Sequence, residues 1–144
     1  MRIDQKIKQI VKGIGGLTFE FNDWTRANYT LSQKKLPVCM YILPVSGTFI
    51  NKNNNLRDRP KALVAFLDLA EFDFDGKTNE RTIERMKHYA KRFIVAVNNS
   101  GMFKTIPENV HYSVIYDKLD DNLTGVVLDI ELEELVGECV SNLQ

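Results

Sequence analysis

Six apolar residues between Thr78 and Asn98 form one helical stripe: Ile83, Met86, Ala90, Phe93, Ile94 and Val97. Steps of three and four over that length predict a long amphipathic helix. Burying five large side chains and one alanine contributes roughly 8–14 kcal/mol before conformational entropy is counted. A stripe this wide must lie on a broad apolar surface, and that requirement constrains the rest of the chain. Thr78 or Asn79 is suited to cap the helix, and Asn99-Ser100-Gly101 to end it. Arg81, Arg85, Lys87, Lys91 and Arg92 occupy its flanks and outer face, and Glu84 stands four residues before His88.

Period-two segments supply the surface. Val110, Tyr112, Val114 and Tyr116 alternate with His111, Ser113, Ile115 and Asp117. After turn residues Leu119 to Asn122, Val126, Leu128, Ile130 and Leu132 alternate with Val127, Asp129, Glu131 and Glu133. This is the pattern of a hairpin. Lys61 to Phe74 reads as a long strand, with Leu63, Ala65, Leu67 and Leu69 on one face and Val64, Phe66 and Asp68 on the other. Both faces begin apolar, so it belongs at the centre of a sheet. Val38 to Leu43 is an apolar run of strand length between Pro37 and Pro44. Gly47 to Ile50 extends it or forms a short piece of its own. Thr18 to Trp24 alternates with Phe19, Phe21 or their neighbours inward, and residues 25–36 read as part strand and part loop. Asn51 to Pro60 reads as a polar loop, mobile in an isolated subunit. At the N-terminus, Ile3, Ile7, Ile10, Val11 and Ile14 predict an amphipathic helix that Gly15-Gly16 ends.

Helices and strands that do not alternate strictly indicate the α+β class. The expectation is a single domain over residues 1–144. Its sheet is mostly antiparallel, with about four to six strands. The N-terminal helix and one long helix pack on one face. At 44% hydrophobic and 26% charged residues the chain can bury a real core. No apolar run approaches the roughly 20 residues of a membrane helix. The N-terminus carries charge throughout and lacks the apolar stretch of a secretory signal. Cys39 lies in an apolar run and Cys139 near the C-terminus, and both are expected as reduced thiols.

Glu71-Phe72-Asp73-Phe74-Asp75-Gly76 is the string most suggestive of chemistry. Carboxylates at every second position before a glycine match the front of a calcium loop. The twelfth position, which should be a bidentate glutamate, falls on Thr82, and a strand rather than a helix precedes the string. The simpler reading is a strand end with Phe72 and Phe74 inward and Glu71, Asp73 and Asp75 in water. His88 and His111 read as solvated, and no nucleophile elbow, zinc-binding helix, phosphate loop or paired CxxC is present. Gly13 to Gly16 follows a helix and stops it. Glu131-Leu132-Glu133-Glu134 lacks the lysine a metal-dependent nuclease would need beside it. The basic flank of the long helix is interrupted by Glu80 and Glu84, so it reads as a solvated face before a nucleic-acid surface. No catalytic residue, metal site or cofactor is expected.

The charge is zero in sum but unevenly spread. Residues 1–109 hold 18 Lys and Arg against 11 Asp and Glu, and residues 110–144 hold 1 against 8. Copies of such a chain can attract one another head to tail.

The element order resembles the tail terminator proteins of long-tailed phages, the minor tail protein U type, and related tail-completion proteins. The likeness runs over most of the chain: helix Ile3–Ile14, strands near Val38–Leu43 and Ala62–Phe74, helix Thr78–Asn98, and the closing hairpin from Tyr112 to Leu132, entered through Gly125. The stretch Thr18–Leu36 is longer than that pattern, and residues 51–60 have no counterpart in it. The resemblance implies a structural virion protein, made in the bacterial host cytoplasm. It would close a hexameric ring on the tail tube and meet the head-completion proteins, while DNA passes without specific binding. On that reading Asp73, Asp75, Asp129, Glu131 and Glu133 are candidates for the ring interface or lumen. Lys52, Arg57 and Arg59 are candidates for a loop that meets the partner. The alternatives are a small protein-binding module without a ring, and a metal-dependent nuclease or hydrolase.

Overall fold

The computed structural model describes residues 1–69, 77–118 and 122–143. Among the described residues three α-helices and seven strands make an α+β fold around one mixed sheet. The five main strands run in the order β1-β2-β4-β6-β5. They are β1 (Thr18–Asn22), β2 (Val38–Ile42), β4 (Asn55–Leu69), β5 (His111–Lys118) and β6 (Leu123–Glu131). β3 (Ser46–Lys52) and the short β7 (Glu138–Cys139) both pair with β4. Among the described strand pairs only β1 and β2 are parallel.

α1 (Ile3–Ile14) and α3 (Lys77–Asn99) lie on one face of the sheet. α1 starts where the Arg2 N–H donates to Gln5 Oε1 at 2.9 Å, and stops at Gly15, whose φ of 78° suits only glycine without strain. Ile7, Ile10 and Val11 turn inward against the same core as Ile83, Met86, Phe93 and Val97 of α3. The sheet offers this core Cys39, Tyr41, Val64, Phe66, Val126 and Leu128. Phe66 and Phe93 meet edge to face at 5.6 Å. Gly125 makes the close contact at this seam possible, since a Cβ there would fall 1.9 Å from the Phe66 carbonyl oxygen. Gly125 therefore sits inside β6 and does not lead into it. α3 already includes Lys77, so Thr78 and Asn79 are helical residues and not caps.

The opposite face has a smaller core of Val38, Met40, Ile42, Ala65, Leu67 and Leu123. It is covered by α2 (Trp24–Thr30), a helix that the sequence reading missed. Thr25, Asn28 and Thr30 are weak helix formers, and only Ala27 and Leu31 are fully buried, so the stripe is faint. The cap was visible: Asp23 accepts from the Arg26 N–H at 2.7 Å. The helix has a topological cause as well. Parallel β1 and β2 cannot be joined by a tight turn and need a crossover. Inside β1, Phe19 leans on the main core and Phe21 stacks on Tyr41 at 4.9 Å, but the most buried side chain is that of Glu20.

The polar loop expected over Asn51–Pro60 is instead a hairpin. β3 pairs with the first half of β4 from Ser46↔Lys61 to Lys52↔Asn55. The two turn residues, Asn53 and Asn54, have φ of 56° and 58°. Two successive positive φ angles define the hairpin turn whose twist matches the strands, and asparagine tolerates it better than other side-chain-bearing residues. The arm stands out from the core, so its strands never needed hydrophobic alternation. β4 ends at Leu69 among the described residues, and the expected continuation to Phe74 lies outside them.

Candidate functional site

Past Glu131 the chain continues the line of β6 down the flank of the β3–β4 arm as a strap. Leu132 N–H donates to the Pro60 carbonyl and Glu134 N–H to the Asp58 carbonyl, each at 3.0 Å. Further on, Glu138 pairs with Leu56, Cys139 with Asn55, and Val140 N–H donates to the Asn54 carbonyl at 2.8 Å. Between Glu134 and Glu138 the strap advances four residues while β4 advances only two, from Asp58 to Leu56. The excess forms a bulge, and bulges re-aim side chains. Here they push Leu135 and Val136 into water, at 46% and 74% exposure. The bulge is held on both sides. Leu135 N–H donates to the Met102 carbonyl at 3.2 Å, and Gly137 approaches β4 so closely that a Cβ would lie 1.9 Å from the Leu56 oxygen.

Charge fixes the strap to the body. Lys6 of α1 lies 2.6 Å from Glu134 Oε2 and over the Phe103 ring, while Glu134 Oε1 accepts from the Asp58 N–H at 2.8 Å. Burial, with the Glu134 charge beside it, raises the Asp58 carboxyl above the ordinary carboxylate value. Lys104 meets Glu133 at 2.7 Å and, with Arg57 and Arg59 nearby, keeps that carboxyl below its usual range. Arg59 Nε lies 2.9 Å from Glu131 Oε1, an ion pair whose N–H is not aimed at the oxygen.

Two candidate sets from the sequence therefore meet inside one molecule. Arg59, expected in a free loop for a partner, is paired to Glu131, expected on an acidic face. Arg57 and Arg59 stand in the field of Glu133. Glu131, Glu133 and Glu134 all find cations from the basic part of the chain. Asp129 stays exposed on the open half of the sheet, between Leu63 and His111. Lys52 stays exposed beside the hairpin turn. Asp73 and Asp75, with the whole string Glu71–Gly76, lie outside the described residues. Thr82, its twelfth position, is buried in α3.

Among the described residues no group of three His, Cys, Asp or Glu side chains could hold a metal ion. His88 and His111 are both exposed, on α3 and at the start of β5. Cys39 and Cys139 are free thiols, as expected; burial pushes the Cys39 thiol well up, and the Ser141 hydroxyl and backbone lower that of exposed Cys139. No described helix is long and apolar enough to cross a membrane.

Sequence reading also missed Glu20. Burial raises its pKa, but hydrogen bonds and charge from its neighbours outweigh that and lower it on balance. Lys34 Nζ lies 2.7 Å from Oε2, and Asn22 Nδ2 and the Thr30 hydroxyl donate to Oε1 at 3.0 and 3.2 Å. Lys34 also donates to the Phe19 carbonyl at 3.3 Å. These contacts tie α2 to β1 and engage both carboxylate oxygens, so the group is structural. Its partners stand 2, 10 and 14 residues away in sequence, and no local pattern marks them.

A scan against protein-family models and a search of curated proteins found no match for the chain.

Proposed function

We propose that this chain is a structural protein of the phage tail-terminator kind. It would assemble as a ring that caps the tail tube and joins it to the head. The observation that carries the reading is what the described surface offers. Glu131, Glu133 and Glu134 at the strap are engaged in internal pairs, while contact features are left open. β5 is an outer strand with no described neighbour beyond it, and it exposes Tyr112 and Tyr116. The β3–β4 arm carries an exposed Phe49, and the strap carries Leu135 and Val136. By contrast, Lys34 covers part of the β1 edge. Unpaired strand edges and fixed apolar projections favour joining chains over transforming a substrate. Tail-tube and head-completion proteins would be the partners, the virion the final location and the host cytoplasm the place of assembly. No catalytic step, metal or cofactor is part of this reading.

A small protein-binding module without a ring is the second reading, because an open β5 can equally accept one strand of a foreign partner. Size measurement at low and moderate salt separates the two, with rings in electron micrographs as the direct sign of the first.

Of the acids considered for a lumen, Asp129 is exposed and in no described ion pair. A lumen-facing acid repels passing DNA. Asp129→Lys should leave ring formation intact and make rings retain DNA at low salt, measured by co-sedimentation. Unchanged DNA passage with normal assembly would remove Asp129 from the lumen.

A further inference from the structure

A groove of about 690 Å³ runs between α1 and α3. Its walls include Ile10, Val95 and Met102, with Val95 57% exposed. His88 and Lys91 stand on its rim, and neither is ion-paired among the described residues. An apolar trough with a basic rim calls for an apolar insert with an acid beside it. The chain itself carries such an insert: the Leu135–Val136 bulge, followed by exposed Glu138. Leu135 N–H donates to the Met102 carbonyl at the end of the molecule's own groove, yet Val136 is 74% exposed and Val95 in the groove 57% exposed, so the two do not cover each other within one copy.

We infer that the Leu135–Val136 bulge of one copy seats in the α1–α3 groove of a second copy. The inference rests on the assembly reading and names its contact. The bulge is fixed by hydrogen bonds before docking, so little freedom is lost when it inserts. Glu138 approaches Lys91 of the other copy, which gives the unequal charge of the two parts of the chain a place to act. Reciprocal insertion would give a two-copy complex, and one-way insertion a ring.

The test uses the full chain with Cys139→Ser to remove the exposed native thiol. Val136→Cys combined with Val95→Cys should give disulfide-linked multimers under mild oxidation. Val136→Cys combined with Ser113→Cys on β5 should give none. Independently, Val136→Asp should weaken self-association about tenfold or more. Lys91→Glu and Glu138→Lys should each weaken it about threefold, and the two together should restore it. These residues are exposed, so folding is preserved. Assembly that survives Val136→Asp, or that links through position 113 and not 95, overturns this contact and leaves the assembly reading standing. A chain that stays monomeric and never cross-links overturns both.

Discussion

Glu20 and Asp58 are two carboxylates near the core with opposite responses to it. Glu20 is held below its ordinary pKa, so its ionised form stabilises the fold. That contribution is present above the unfolded carboxylate value and is lost as pH falls through the lowered one. Glu20→Gln should cost about 1–3 kcal/mol at neutral pH. Its melting temperature should also fall less than that of the parent between mildly and strongly acidic solution. Asp58 is raised, so the sign reverses. Its ionised form opposes folding above the raised value, and the opposition disappears below the unfolded value. Asp58→Asn, which keeps an acceptor for the Arg59 N–H, should therefore raise the melting temperature at neutral pH and change little in acid. Thermal melts of both variants across that pH range check the two signs together. Neither residue stands out in the sequence. Glu20 alternates with two phenylalanines as if it faced water, and Asp58 sits among polar neighbours that suggested a loop. Their environments come from residues brought in by the crossover and the strap.

The elements were legible in proportion to how much apolar surface they bury on one side. α1 and α3 carry wide stripes and were read with near-correct limits. β2, the second half of β4 and the terminal hairpin carry dense apolar patterns and were read as strands. α2 buries little, and the β3–β4 arm has almost no core to face, so neither has a stripe or an alternation to read. The arm is specified by its turn. Asn54→Gly should stabilise it by about 0.5–1 kcal/mol, because glycine holds a positive φ without a Cβ clash. Gly125→Ala should do the opposite. The added Cβ has nowhere to go but into the Phe66 carbonyl, and the loss should reach about 3 kcal/mol or more. Urea unfolding of the two variants measures both. Equal, small effects would mean that β6 and β4 can separate at this point, against the close approach described.

At the scale of the molecule, part of the unequal charge of the sequence is consumed inside the fold. Lys6, Arg59 and Lys104 each take one acid of the C-terminal part. These pairs lock the strap and shape the bulge, while Glu138, Asp129, His88 and Lys91 remain for the outside. The sequence showed that two parts of opposite charge exist. It could not show that they first meet within one chain, because that depends on the strap continuing β6 past Glu131 and turning along the arm. Of the candidate acids within the described residues, Asp129 and Glu131 are exposed and Glu133 is half-buried, but the cations they meet were not legible, since the ion pairs of Glu131, Glu133 and Glu134 bridge 29 to 128 residues of sequence. What is left exposed and fixed is suited to contact with other chains. Sedimentation velocity of the full chain, over a wide concentration range at low and moderate salt, tests that claim most directly. The account predicts species larger than one chain that grow with concentration and weaken with salt; a single monomeric boundary under every condition would contradict it.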